Sequence, residues 1–219
     1  MILSYNVERN TLFQERGAAE KEKKRQIKIS EAKTDAISKL STDTIGTYNK
    51  AAWETIIKAQ KTVDNVAIQL KNAKLEQETQ TTLAKAKIDT ITKLPSETIG
   101  TYNKTAWETT INAQETIDDV TTKLNLAKKE YLSETKKDAI SKLPSETIGT
   151  YNKAKWETTI NAEKTVIGVK TKLDEANESE DVERKRKQEI ERKLQLQTEL
   201  RNKINEAKTQ LPSSVGTYN

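Results

Sequence analysis

Apolar positions along this chain recur at intervals of three and four, interrupted at four places by one repeated stretch. Aligned on Trp53, Trp107 and Trp156, they run Ile57/Ile111/Ile160, Ala59/Ala113/Ala162, Val63/Ile117/Val166, Val66/Val120/Val169, Leu70/Leu124/Leu173 and Ala73/Ala127/Ala176. Lys, Glu, Thr, Asn and Gln fill the positions between them. The last four steps approach the alternation of a heptad seam. At that period the stripe covers roughly 150° of a helix surface, a face suited to burial. The pattern predicts an amphipathic helix in each copy, continuous from the tryptophan to the last alanine. A further helix is expected over residues 6–40, loosely patterned at Val7, Leu12 and Phe13, with Gly17 as its one point of interruption. Its stripe begins at Ile27 and continues through Ile29, Ala32, Ala36 and Ile37 to Leu40.

The interrupting stretch reads Leu-Pro-Ser-Glu-Thr-Ile-Gly-Thr-Tyr-Asn from Leu94 and again from Leu143. A variant runs from Leu40 to Asn49, and a shortened copy from Leu211 to Asn219. It holds all three prolines (Pro95, Pro144, Pro212) and four of the six glycines (Gly46, Gly100, Gly149, Gly216). A proline bars the residue before it from comfortable helix geometry, so the leucines mark helix stops. Each glycine then supplies a loop corner tolerant of positive φ. Asn49, Asn103 and Asn152 are expected helix caps, their side-chain oxygens accepting from first-turn amides. Tyr48, Tyr102 and Tyr151 precede those caps, and Trp53, Trp107 and Trp156 stand at the fourth helical position. That is the spacing of a hydrophobic staple. Glu54, Glu108 and Glu157 are expected to favour the positive helix end.

The spacing between stripe and stop varies: Ala73 to Leu94 is 21 residues, Ala127 to Leu143 is 16, and Ala176 to Leu211 is 35. Removing five residues from a continuous helix turns one half about 140° against the other. A second bend is therefore expected near 74–82 and 128–134, with an unbroken helix as the alternative because neither segment holds Gly or Pro. Residues 178–206 are the most charged part and read as a long, solvated, coiled-coil-like helix marked by Ile190, Leu200, Ile204 and Ala207. The expected organisation is a helical lead-in over 1–40, a candidate for attachment or oligomerisation. Helical repeats follow over 41–94, 95–143 and 144–211, the last with the extended charged helix. Residues 212–219 begin a truncated further repeat. Asn219 would cap a helix the chain does not contain, so the array is expected to continue beyond it.

Composition narrows the chemistry. Hydrophobic residues make up 33% and charged residues 32%, which suits narrow helical seams better than a thick core. Cysteine and histidine are both missing, removing disulfides, thiolate metal sites and a histidine base from consideration. No signal-peptide core opens the chain, and no apolar run is long enough to span a membrane. The net charge of +5 is spread out. The basic clusters Lys21–Arg25 and Arg184–Lys187 face acids nearby: residues 177–206 hold eight acidic and eight basic side chains. Nucleic-acid binding needs a concentrated phosphate-facing patch, so a solvated helix face is the better reading. The carboxylate pairs Asp118/Asp119 and Glu180/Asp181 have no base, glycine cradle or apolar pocket in the sequence to tune them.

The arrangement of leucine, loop, tyrosine and tryptophan ahead of a regular stripe resembles the FIVAR repeat. That family consists of small three-helix modules in tandem on bacterial surface proteins, often adhesins. The resemblance rests on Tyr and Trp at 48/53, 102/107 and 151/156, over roughly residues 30–176. Asn stands where that family has Thr, and Ala52, Ala106 and Lys155 where it has Ser. The loop Pro-Ser-Glu-Thr-Ile-Gly is outside the family pattern, and units of 54 and 49 residues are short for independent modules, which suggests a helix shared between neighbours. The resemblance transfers no catalytic residue and implies a spacer, stalk or ligand-binding role.

The expectation is an all-α, elongated array of long amphipathic helices forming helical-bundle repeats, acting without catalysis or cofactor as a stalk, spacer or fibre segment with adhesive contacts. The alternatives are a surface module binding a host protein or glycan, and a virion or intracellular assembly protein using exposed seams. Expected partners are proteins, through self-association or a larger assembly, and not nucleic acid. A bacterial surface or a virion is favoured over the cytoplasm. The Thr-Ile-Gly-Thr loop tip would be the natural contact surface.

Overall fold

The computed structural model describes residues 2–210, with side chains from residue 8 onward. Seven α-helices follow in order: α1 (Ile2–Ser38), α2 (Lys50–Lys58), α3 (Val63–Ile91), α4 (Lys104–Asn112), α5 (Ile117–Ser141), α6 (Lys153–Ala162) and α7 (Val166–Gln210). No strand occurs among the described residues, only the isolated bridges Ile45–Tyr48 and Ile99–Tyr102. The fold is all-α, an array of small helical bundles. The last copy of the repeated stretch, with Leu211, Pro212, Gly216 and Asn219, lies outside the described residues.

The chain divides into two compact units. Unit one holds the residues up to Lys93 together with Glu108–Leu124, and unit two holds Leu94–Trp107 together with the residues from Asn125 on. In unit one, α1, α2 and α3 pack pairwise on each other. Their core is Ala36, Leu40, Tyr48, Ile57, Val66 and Ala73, edged by Ala32, Ile37, Trp53 and Leu70. Unit two repeats those positions as Ala139, Leu143, Tyr151, Ile160, Val169 and Ala176, edged by Leu132, Ile140, Trp156 and Leu173. The corresponding residues of the middle copy, Leu94, Tyr102, Ile111, Val120 and Ala127, are buried too. Each larger apolar side chain so buried contributes roughly 1.5–3 kcal/mol. Six positions per repeat are enough for a thin three-helix core, which is how so polar a sequence folds.

Two sequence expectations are corrected. The helix expected to run from each tryptophan to the stripe's last alanine is two helices. The break comes at residues 59–62, 113–116 and 163–165, after a short helix of nine or ten residues. A threonine at each break caps the helix that follows. Thr62 Oγ1 accepts from Asn65 N at 3.2 Å, Thr116 from Asp119 N at 3.1 Å and Thr165 from Gly168 N at 3.0 Å. Thr116 also donates its hydroxyl to Asp119 Oδ2 at 2.7 Å. The expected second bend near 74–82 and 128–134 is absent: α3 and α5 run straight through both segments. The premise that both apolar stripes must share a face does not hold, because each stripe meets a different set of neighbours. The first half of α3 packs on α1 and α2, whereas Lys87 in its second half reaches the end of α4. In unit two, α5 meets the preceding loop through Glu130 and Tyr131, and meets α6 and α7 through Leu132, Ala139 and Ile140.

The lead-in α1 is continuous through Gly17. Its residues 8–28 are exposed, while Ile29, Ala36 and Leu40 enter the core of unit one. In α7 the buried positions end at Glu183, and residues 184–210 are exposed throughout.

Candidate functional site

The recurring feature that gathers polar chemistry is the joint between a long helix and the short helix after it. A backbone hydrogen bond closes its corner: Tyr48 N to Ile45 O at 3.0 Å, Tyr102 N to Ile99 O at 3.0 Å, and Tyr151 N to Ile148 O at 2.9 Å. Gly46, Gly100 and Gly149 have φ of 56°, 54° and 55°, and no described non-glycine residue has positive φ. Positive φ at the first central residue followed by negative φ is the pattern of a type II′ turn. A Cβ at these glycines would also run into the side chains of Gln80, Glu134 and Glu183, respectively.

The three tyrosines are almost fully buried. Each hydroxyl donates to a carbonyl seven residues back: Tyr48 to Ser41 at 3.2 Å, Tyr102 to Pro95 at 2.9 Å and Tyr151 to Pro144 at 3.1 Å. Asn49, Asn103 and Asn152 accept from Ala52, Ala106 and Lys155 amides at 3.2, 3.2 and 3.1 Å. Trp53 and Trp156 pack at the edges of their cores. Glu54 and Glu157 stand beyond the first turn of their helices, so the helix end is not where they act; Glu54 pairs with Lys58 at 3.3 Å. First-turn acids are found on the long helices instead, as Asp64, Asp118 and Asp119.

Carboxylates on the long helices tie down the joint. Glu76 accepts from Trp53 Nε1 at 2.6 Å and from Thr47 Oγ1 at 2.9 Å. Glu130 does the same for Trp107 at 2.8 Å and Thr101 at 3.2 Å. In the third copy Ser179 replaces that glutamate, and Thr150 donates to Glu183 at 2.7 Å instead. Glu134 accepts from Thr101 N at 3.3 Å and pairs with Lys137 at 2.6 Å. Lys137, and next the Thr101 amide, hold the Glu134 carboxyl below the usual carboxylate range, against the opposing effect of burial. Lysines seven residues before each stop close the far ends of the short helices. Lys33 donates to Lys58 O at 2.6 Å, Lys87 to Asn112 O at 2.7 Å and Lys136 to Asn161 O at 2.7 Å. These carbonyls are among those a helix end leaves without partners.

The middle joint has an additional anchor. Tyr131 stacks edge-on against Tyr102, with ring centroids 5.0 Å apart. Its hydroxyl donates to Glu97 Oε2 at 2.8 Å. Burial, and then that bond to Glu97, push the Tyr131 hydroxyl up to about 12. Glu97 is held below its ordinary range, first by Tyr131 and then by Lys170.

Glu76, Glu130, Glu134, Glu183 and the lysine series were missed from the sequence because charged helix residues between apolar stripes read as solvated faces. Their fixed offsets from the repeat, Lys33/Lys87/Lys136 above all, were the available signal. The second threonine of each loop tip, Thr47, Thr101 and Thr150, donates its hydroxyl to a glutamate of the following long helix. No buried side-chain polar atom among the described residues lacks a hydrogen-bond partner, and no helix among them is long and apolar enough to cross a membrane.

No protein-family model matches the chain, and no curated protein does. Among solved structures it is similar to the 756–1003 domain of EbhA from Staphylococcus aureus, at 23% identity and a TM-score of 0.39, over 69% of this chain and 72% of that one.

Proposed function

We propose that this chain is a non-enzymatic structural repeat protein, a spacer or stalk segment that holds other parts at a set distance. One observation carries this reading: α3 and α5 each run unbroken while serving two sets of neighbours along their length. In repeat arrays, length and spacing follow from such nearest-neighbour packing. The polar groups of the joint support it further, since Tyr, Thr, Trp, Asn and Glu side chains there are engaged in fixing the corner. The FIVAR resemblance, which implies tandem modules on a bacterial surface, points the same way, and adhesive contact would be an addition to the spacer role. Small-angle X-ray scattering tests it. A compact globule of this length has a radius of gyration of about 17 Å. A value well above that, rising with each added repeat, is expected, and a value near it removes the reading.

Self-association is a second reading, favoured by exposed Leu12 and Phe13 on α1 and exposed Leu194, Leu200 and Ile204 on α7. A mass by light scattering that stays monomeric at high concentration sinks it.

A further inference from the structure

In unit two the middle joint meets the start of α7, where Lys170 Nζ lies 3.6 Å from Glu97 Oε2. Beside this contact runs a groove of about 380 Å³. Its floor is apolar, formed by Pro95, Leu132, Val166 and the Tyr131 ring. Its edges are Lys128 and Lys129 of α5 and Lys164 just ahead of α7. All three lysines are exposed, and none has an ion-pair partner among the described residues.

Unit one has a groove at the same place in the repeat, of about 290 Å³, with opposite charge. Leu83 there corresponds to Leu132, each eleven residues before a joint leucine, and Ile117 corresponds to Val166, each following a capping threonine. Thr79 stands in the place of Lys128 and Glu115 in the place of Lys164, with Asp118 adjoining. Packing alone does not require this reversal, since these side chains stand out from the core in both units.

Three exposed lysines edge an apolar floor that is open to solvent. An anion with an apolar body can cover the floor and pair with the lysines together. We propose that the groove of unit two binds a small organic anion: a carboxylate, sulfonate or phosphate carried on an aromatic or short aliphatic body. The body lies on Leu132, Val166 and the Tyr131 edge, and the charged group meets Lys128, Lys129 and Lys164. The volume is at the small end of ligand sites, roughly 300–1,000 Å³, which fits a compact body and not a polymer. The acidic counterpart in unit one does not bind this ligand. The site is independent of the spacer reading.

The test uses the whole chain and the aryl sulfonate 1-anilinonaphthalene-8-sulfonate, followed by fluorescence and calorimetry, with the neutral N-phenyl-1-naphthylamine for comparison. Lys128→Glu/Lys164→Glu is set beside Lys23→Glu/Lys24→Glu, a change of equal charge on exposed α1. All four positions are exposed, so unchanged melting curves establish that both variants fold. One sulfonate site per chain is expected, weakened at least about tenfold by the groove variant and little by the α1 variant. The neutral dye should bind about tenfold more weakly. Equal binding of the two dyes, equal loss in the two variants, or no sulfonate binding at millimolar concentration each overturns the proposal.

Discussion

At the scale of single residues, the corner glycines are the least replaceable part of the chain. Positive φ and a carboxylate directly behind the Cα act together at Gly100. A Gly100→Ala variant carries strain of roughly 1–3 kcal/mol from the backbone alone. It must also displace Glu134 from the Thr101 amide, so its melting temperature should fall clearly. Gly17 is the opposite case, a helical glycine with nothing near its absent Cβ. Gly17→Ala should raise helix content, by a local preference of about 1 kcal/mol. Circular dichroism melts check both signs, and an unaffected Gly100→Ala would contradict the geometry described. The glycine's corner role could be read from its neighbours in sequence. The carboxylate behind it could not, because Glu134 lies 34 positions away on a helix whose face only packing defines.

At the scale of elements, capping decides where helices divide. Thr116→Ala removes both the cap on Asp119 N and the reciprocal bond to its carboxylate. The expected cost is about 1 kcal/mol, read as a shifted denaturation midpoint with an unchanged slope. The break was hidden in the sequence because the apolar stripe crosses it in register, with neither Gly nor Pro to mark it. The threonine followed three residues later by Asn or Asp, at Thr62 and Thr116, was the legible signal. The exposed half of α7 gives a second prediction. Ending the chain after Gln188 removes, among described residues, only exposed ones. Helix signal should fall in proportion to the residues removed, while the melting temperature stays within a few degrees; a large drop would show that residues 189–210 stabilise the rest.

At the scale of the whole molecule, the titrating groups set a stability profile with two limbs. Glu97 and Glu134 have lowered values, so their contribution is complete above the ordinary carboxylate range and is lost as pH falls through the folded values. Tyr48, Tyr131 and Tyr151 have raised values, chiefly from burial. Their contribution is intact below pH 10.0, where an unfolded tyrosine ionises, and for Tyr131 is lost as pH rises to about 12. Melting temperature against pH should show a plateau between these limbs. Tyr131→Phe should flatten the alkaline fall, and an alkaline limb unchanged by that variant would place the titration elsewhere.

Sequence alone determined the helical class, the stops at Leu40, Leu94 and Leu143, the caps at Asn49, Asn103 and Asn152, and the apolar positions that became the cores. All of these follow from local rules: proline geometry, side-chain capping and helical periodicity act within a few residues. Tertiary structure decided which stripe meets which neighbour, and therefore that α3 and α5 run unbroken where a bend was expected. It also turned Glu76, Glu130, Glu134 and the lysines at 33, 87 and 136 from solvated helix residues into parts of the joint. Those bonds span 23 to 33 positions. A charged side chain on a helix has no intrinsic preference between water and a distant partner, so only the packed fold could assign it one.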